Sequence, residues 1–509
     1  MTKIDFIPTR AVLGVMIFTA CLVAYMLRVN MSINLIAMVE PAGSANHAGA
    51  SECSATGVSK PGDNETMEIH EKLTAAPDFG VRYEWNSKIQ GLILGSYFWG
   101  YIISSMPGGF LAEQFGPLKT VGVSTLVSSV LTILTPLAAS WHYSVVIANR
   151  ILLGLLGGVI YPALHSLISR WAPPEEKGKF VGALLGGTLG TVLTWPMLGS
   201  IVESLGWTWA FYIPGGLALL WCLLWFFLVS DSPDLHPRIS DEEKFYIAKS
   251  LGDSVAKRKS IAPYKSMALS VPFWSLAVLH FGNLWGLYLL LTAGPKFMSE
   301  ILGFDLGHSG LLAALPYLAR MIFGFIFGLI GDQLRKSNKL SVTCIRKSFV
   351  LFSHIVPGIF LLAETAIGCD AILSVTFITL ALGFNGASTI TNLQNSQDLA
   401  PNFAGTIYGI ANCIGGTTGF ITPMLTGYLT EEKNGLYEWH LIFWVGAAVY
   451  ICCGLVFCLF GSGEVQQWNA VVEPQDPESE EKSTATKATG IVNDAYIPHP
   501  EADSENTKV

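Results

Sequence analysis

Twelve separate stretches of this 509-residue chain are long and apolar enough to cross a bilayer, and that excludes most folds at once. They cover roughly residues 12–39, 89–111, 118–138, 143–171, 180–202, 207–229, 273–297, 309–330, 347–362, 371–391, 403–429 and 440–460. A helix needs about 20 mostly apolar residues to span the hydrocarbon. With no water there to satisfy N–H and C=O groups, runs of this kind have to be helical. The expected class is an all-α, polytopic membrane protein. Composition agrees: 51% of residues are hydrophobic and only 13% charged, about half the ~25% of a soluble domain.

The loops sort by charge. Arg170, Lys177 and Lys179 follow the fourth run, Arg335, Lys336, Lys339, Arg346 and Lys347 follow the eighth, and seven Lys and Arg lie in the long middle loop. Positive loops stay inside, so both termini and the middle loop are predicted to be cytoplasmic. The expected organisation is a cytoplasmic N-terminus (1–11), a six-helix half (12–229) carrying an outer loop (40–88), a cytoplasmic linker (230–271), a second six-helix half (272–461) and an acidic, disordered cytoplasmic tail (462–509). Asn64-Glu65-Thr66 in the outer loop is an acceptor triplet for N-glycosylation. The first run is too long for a secretory leader and carries Arg28. The nine cysteines show no metal or redox spacing. They are expected to be small packing residues, without a disulfide between Cys53 and Cys369 on the outer side.

The two sixes look duplicated. Gly91, Gly109 and Glu113 recur at the same spacing as Gly310, Gly328 and Asp332, each acid followed by Gln. Gly186-Gly187-Thr188-Leu189-Gly190 with Pro196-Met197-Leu198 recurs as Gly415-Gly416-Thr417-Thr418-Gly419 with Pro423-Met424-Leu425. Two related halves around a central site is the plan of many secondary transporters, although each glycine by itself also suits close helix packing.

The chemistry sits where charge interrupts the apolar runs. Arg28 and Arg150 fall inside the first and fourth. A charge at mid-span costs about 2.5–3.5 kcal/mol on insertion scales. Opposite helix directions bring both to the outer half of the membrane, where two planar guanidinium forks can hold a carboxylate or phosphate. The alternative readings are a structural partner for Arg28 and snorkelling for Arg150. Arg320, mid-run in the eighth, either adds to the anion site or pairs with an acid. Asn30 and Asn34 read equally as substrate or cation contacts and as helix glue. Asn283, Trp285 and Tyr288 in the seventh run read equally as cavity wall and packed stripe. His165 and His280 are candidates for proton carriage or structural hydrogen bonding. Glu113, Asp332 and Asp398, at cytoplasmic ends, are gating candidates.

Arg28-Val29-Asn30-Met31-Ser32, Gly95-Ser96-Tyr97-Phe98-Trp99-Gly100-Tyr101 with Pro107-Gly108-Gly109, Arg150-Ile151-Leu152 through Tyr161-Pro162 to Trp171-Ala172-Pro173-Pro174, and Asp398-Leu399-Ala400-Pro401 with Ala404-Gly405 resemble the anion:cation symporter family. That family holds the type I sodium/phosphate cotransporters, sialin and the vesicular glutamate transporters. Ala400 to Thr406 is most similar to invertebrate phosphate-cotransporter-like members. The resemblance implies the major facilitator fold, twelve helices in two pseudo-symmetric halves, and anion transport using Arg28 and Arg150. It also marks departures: Gly157 and Leu153 stand where relatives carry acids, Leu94 where the glutamate carriers have histidine, Asn283 where they have arginine, and Leu284 where an asparagine is common.

The resulting expectation is an alternating-access carrier, not an enzyme, of inorganic phosphate or a small organic anion. Sodium is the expected co-ion by resemblance. No resident cofactor, metal or nucleic-acid partner is expected, and partners reduce to a small anion and the bilayer. The plasma membrane is favoured, since neither tail carries an acidic dileucine signal. The rivals are a proton-coupled lysosomal or vesicular carrier of acidic sugars or amino acids, and a non-transporting sensor or scaffold.

Overall fold

The structure, a computed structural model, describes residues 8–40, 79–173, 182–251, 263–304, 306–337, 339–400 and 403–469, together with 176 and 180. Asn64 and Cys53, and the tail beyond residue 469, lie outside the described residues.

Among the described residues, helices build twelve columns. The N-terminal half contains α1 (Thr9–Met38), α2 (Ser87–Phe115), α3 (Pro117–Ile133) running on into α4 (Thr135–Trp141), α5 (Tyr143–Gly158) into α6 (Ile160–Trp171), α7 (Gly186–Leu205) and α8 (Trp209–Leu228). The linker adds α9 (Asp241–Leu251) and α10 (Tyr264–Ala268), helices not expected from its polar sequence. The C-terminal half contains α11 (Val271–Lys296), α12 (Leu306–Ser337), α13 (Val342–Val350) joined through a π segment to α14 (Val356–Glu364), α15 (Ala371–Asn385) followed by α16 (Asn392–Leu399), α17 (Ala404–Gly416) with α18 (Thr418–Leu429), and α19 (Leu436–Phe460). Among the described residues, eight helical stretches meet the length and hydropathy of a crossing, nine with the α3–α4 pair bent by 46°. The remaining columns, α2, α7 and α17–α18, are rich in Gly, Ser and Thr and carry Pro107, Pro196 and Pro423 within their helices.

Helix starts are set by local chemistry. The side chains of Asn86, Ser341 and Asp370 accept from the backbone N–H groups of Ile89, Cys344 and Leu373, satisfying donors that a first turn leaves free. The turn between α2 and α3 passes through Gly116 at φ +89°, a conformation open to glycine. Asp231 packs there and accepts from Leu118 N–H at 2.7 Å. In the linker, the Glu243 carboxylate accepts from the Thr9 and Arg10 N–H groups at 2.9 and 3.0 Å. It thereby caps α1 and ties α9 to the N-terminal half.

Packing depends on glycine. A Cβ at Gly100, Gly154 or Gly158 would collide with the facing backbone, so α2 and α5 lie backbone to backbone. The duplicated motifs meet across the halves. Gly91 of α2 packs on the Pro423 carbonyl of α18, and Gly310 of α12 packs on the Trp195 carbonyl beside Pro196 of α7. The repeated glycine of one half is thus seated against the repeated proline segment of the other.

The halves meet at the helix ends opposite the linker, the side predicted to face outward. Ser32 donates to Leu291 O at 2.9 Å. Lys296 reaches Ser87 Oγ at 3.3 Å and Gln90 Oε1 at 3.0 Å, and Lys88 N–H donates to Glu431. Further in, α2 still meets α17, with Ser105 Oγ 3.7 Å from Cys413 Sγ.

One expectation fails on the outer side. Cys369 is disulfide-bonded; its partner cysteine lies outside the described residues. The loop is one predicted to face outward, and disulfides persist in oxidising compartments. The ninth column also extends past the predicted 347–362 to Val342–Glu364, because Ser341 caps an added turn and the π segment Leu351–Ile355 carries the helix on.

Candidate anion site between the halves

The glycine contact between α2 and α5 brings Tyr97 against Arg150, and α1 supplies Arg28 beside Tyr97 and Tyr101. Arg28 is 5% exposed and Arg150 3%, so Arg150 does not snorkel. Its two terminal nitrogens point at the Arg28 carbonyl oxygen at 3.5 and 3.4 Å. The Arg28 guanidinium is ringed by aromatic faces: Tyr25 at 5.2 Å, Tyr97 at 5.4 Å, Phe98 at 4.7 Å, Tyr101 at 5.1 Å and Tyr288 of the opposite half at 5.0 Å. Arg150 shares the Tyr97 ring at 5.0 Å. Each cation–π contact offsets part of the cost of burial, by about 0.5–2 kcal/mol.

Rings do not use up guanidinium donors. Nε and one terminal nitrogen of Arg28, and Nε of Arg150, are buried and meet no acceptor among the described residues. Neither arginine forms an ion pair with a described carboxylate. A narrow recess opens beside Arg28, lined by Tyr97, Thr125, Ser128, Leu153 and Gly157 among others. The seal lies directly outward: Phe98 rests against Tyr288 at 4.7 Å and fills the space beside Gly419. Trp195 donates to Val29 O, and Tyr317 donates to Leu287 O at 2.7 Å.

The other predicted residues divide. Tyr288 joins the cage, and Asn30 is buried nearby with Nδ2 unpaired. Asn34 turns instead to α8, donating to Ala210 O at 3.4 Å, which is helix glue. Trp285 faces Gly446 of α19 and Phe281, away from Arg28. Asn283 is buried with its carbonyl oxygen unpaired. Among the described residues Arg320 meets no acid; Nε donates to Asn385 Oδ1 at 3.0 Å and a terminal nitrogen to Ser388 Oγ at 3.4 Å.

His280 lies 2.7 Å from Asn392 Nδ2 and 3.5 Å from Asn412 Oδ1, which favours structural hydrogen bonding. His165 is exposed on α6. Asp398 is clasped by Arg346 at 2.6 and 3.1 Å, with Arg335 at 4.0 Å. It is a buried lock within the C-terminal half rather than a contact between halves. Glu113 and Asp332 occupy the last turns of α2 and α12; their side chains lie outside the described part.

Sequence reasoning missed Tyr25, Tyr97, Phe98 and Tyr101 as a cage. The signal was Tyr97-Phe98-x-x-Tyr101, one helical turn of aromatics facing the level of Arg28. Lys296 was missed too, since a basic residue at a helix end reads as ordinary.

The chain matches the Major Facilitator Superfamily over residues 13–423. It is 37% identical to sialin of Homo sapiens over 457 residues, 90% of each chain. It is 33% identical to a putative inorganic phosphate cotransporter of Drosophila melanogaster over 500 residues, 96% of this chain and 90% of that one. Among solved structures it resembles a bacterial homologue of the human lysosomal transporter Spinster, inward-facing and occupied, with a TM-score of 0.62 at 13% identity, covering 90% and 97% of the two chains. That likeness gives the fold, and the sequence relatives give the branch: this multi-pass membrane protein is a secondary active anion transporter of the anion:cation symporter family within the major facilitator superfamily.

Proposed function

We propose that Arg28 and Arg150 are the residues that hold the transported anion, with Arg320 as a third contact from the opposite half. The carrying observation is the set of buried guanidinium nitrogens without acceptors beside a recess. A buried donor without a partner costs about 1–3 kcal/mol, and an oxyanion that accepts from it recovers that cost. The cage fixes the forks in advance, so little ordering remains when cargo arrives. Cargo binds under the outer seal and is exchanged between faces as the halves rock, with Ser32–Leu291 and the Lys296 contacts broken and remade in each cycle.

Inorganic phosphate or a small organic anion is the proposed cargo, supported by the putative phosphate cotransporter relative. Sodium is the proposed co-ion: at Gly157 there is no carboxylate to carry a proton. The proposed address is the plasma membrane. The test is uptake of labelled phosphate and organic anions into proteoliposomes with and without an inward sodium gradient. Sodium-stimulated uptake that disappears in Arg28→Ala, at unchanged protein incorporation, is the expected result. Normal uptake by that variant would sink the site; indifference to sodium would sink the coupling.

A further inference from the structure

Resting on that reading of the site, we propose that its cargo carries two negative charges, as a compact inorganic dianion or a dicarboxylate does. The inference comes from charge balance. Arg28, Arg150 and Arg320 stand in the middle of their helices. The acids of the described helical columns stand at or near ends: Glu113 near the end of α2, Glu203 near the end of α7, Asp332 towards the end of α12, Glu364 as the last residue of α14, Asp398 in the last turn of α16 and Glu438 in the first turn of α19. Among the described residues, no carboxylate lies within ion-pair distance of any of the three arginines. Arg28 and Arg150 lie over the same Tyr97 ring, and Arg150 points at the Arg28 carbonyl, so their two charges share one site.

Position 157 is where an acid facing this recess would be placed, and there the chain has glycine. The space is taken: a Cβ on Gly157 would collide with the Tyr97 hydroxyl. Tyr97 is thus a specificity-determining residue that puts a neutral hydroxyl where a carboxylate would offset one arginine. Thr125 and Ser128, on the same wall, are neutral as well. A monovalent anion leaves one of the two buried guanidinium charges of Arg28 and Arg150 unbalanced, whereas a dianion balances both. A unit charge a few ångströms from a partly buried partner is worth far more than in water.

The experiment uses the full-length purified protein and pairs of anions alike in shape but not in charge, at one pH of 7.5: sulfate against methyl sulfate, and succinate against monomethyl succinate. Thermal stabilisation is titrated for each, followed by competition against whichever labelled anion is taken up. The expected result is half-saturation by the dianion of at least one pair at a concentration at least about tenfold lower than by its monoanion. The pair that responds tells inorganic from organic cargo. Equal potency within the responding pair would overturn the valence while leaving anion binding intact. Failure of all four anions to bind would overturn the anion site itself. The double variant Y97F/G157E, which clears the hydroxyl and installs an acid, should narrow the gap at least about fivefold. If that variant does not fold, the unmodified protein still decides.

Discussion

The two halves treat buried polar groups in opposite ways. In the C-terminal half three basic side chains find neutral or ionic partners within their own half: Arg320 on Asn385 and Ser388, Arg346 on Asp398, Gln394 and Ile390 O, His354 between Ser353 and Leu279 O. In the N-terminal half Arg28 and Arg150 lean on rings and one shared carbonyl and keep donors unspent. A satisfied network makes a frame; an unsatisfied one leaves capacity for something that comes and goes. Pseudo-symmetry of backbone therefore coexists with a division of labour in chemistry.

The sharpest way to break this contrast is to remove one arginine from each side. Arg150→Met should lower uptake on the order of 100-fold, the scale of truncating a buried charged contact, with little change in melting temperature. Arg320→Met, the third contact, whose Nε and one terminal nitrogen are already engaged by Asn385 and Ser388, should cost about a tenth of that factor. Equal losses in both, measured as initial rates per incorporated protein, would erase the distinction between the primary contacts and the third. Next in size, Arg346→Met leaves Asp398 buried and should destabilise the protein by about 3–5 kcal/mol, read as lower thermal stability and yield. Transport per folded molecule should be spared; a normal melting curve would show that Arg346 is no part of a frame. The smallest effect is expected at Lys296→Met, which deletes hydrogen bonds across the seal to Ser87 and Gln90. Labelling of a Thr426→Cys reporter in that seal by an impermeant maleimide should rise several-fold, and an unchanged rate would remove Lys296 from the seal.

Much of this was readable in the chain. Long apolar runs fix helices, because hydrocarbon leaves the backbone no other choice. The charges at Arg28 and Arg150 name the cavity for the same reason, and the repeated Gly91 and Gly310 do mark contacts between halves. What could not be read was direction. A helix that is apolar all round carries no hydrophobic face, so nothing in spacing distinguished Tyr288, which meets Arg28, from Trp285, which turns to α19. Nor could it reveal that Asn34 looks at α8 while Arg28, six residues earlier, looks inward. The Cys369 disulfide depends on a distance between loops that no local pattern encodes.

The paired glycine contacts carry one further consequence. Gly91 on the Pro423 carbonyl and Gly310 on the Trp195 carbonyl are the same fitting used twice by a duplicated chain. Two rigid bodies joined at two such seats cannot release one without tilting out of the other, and close backbone contact tolerates little intermediate slack. The outer face should therefore behave as one cooperative switch, present or absent as a whole, rather than as a row of latches undone one by one.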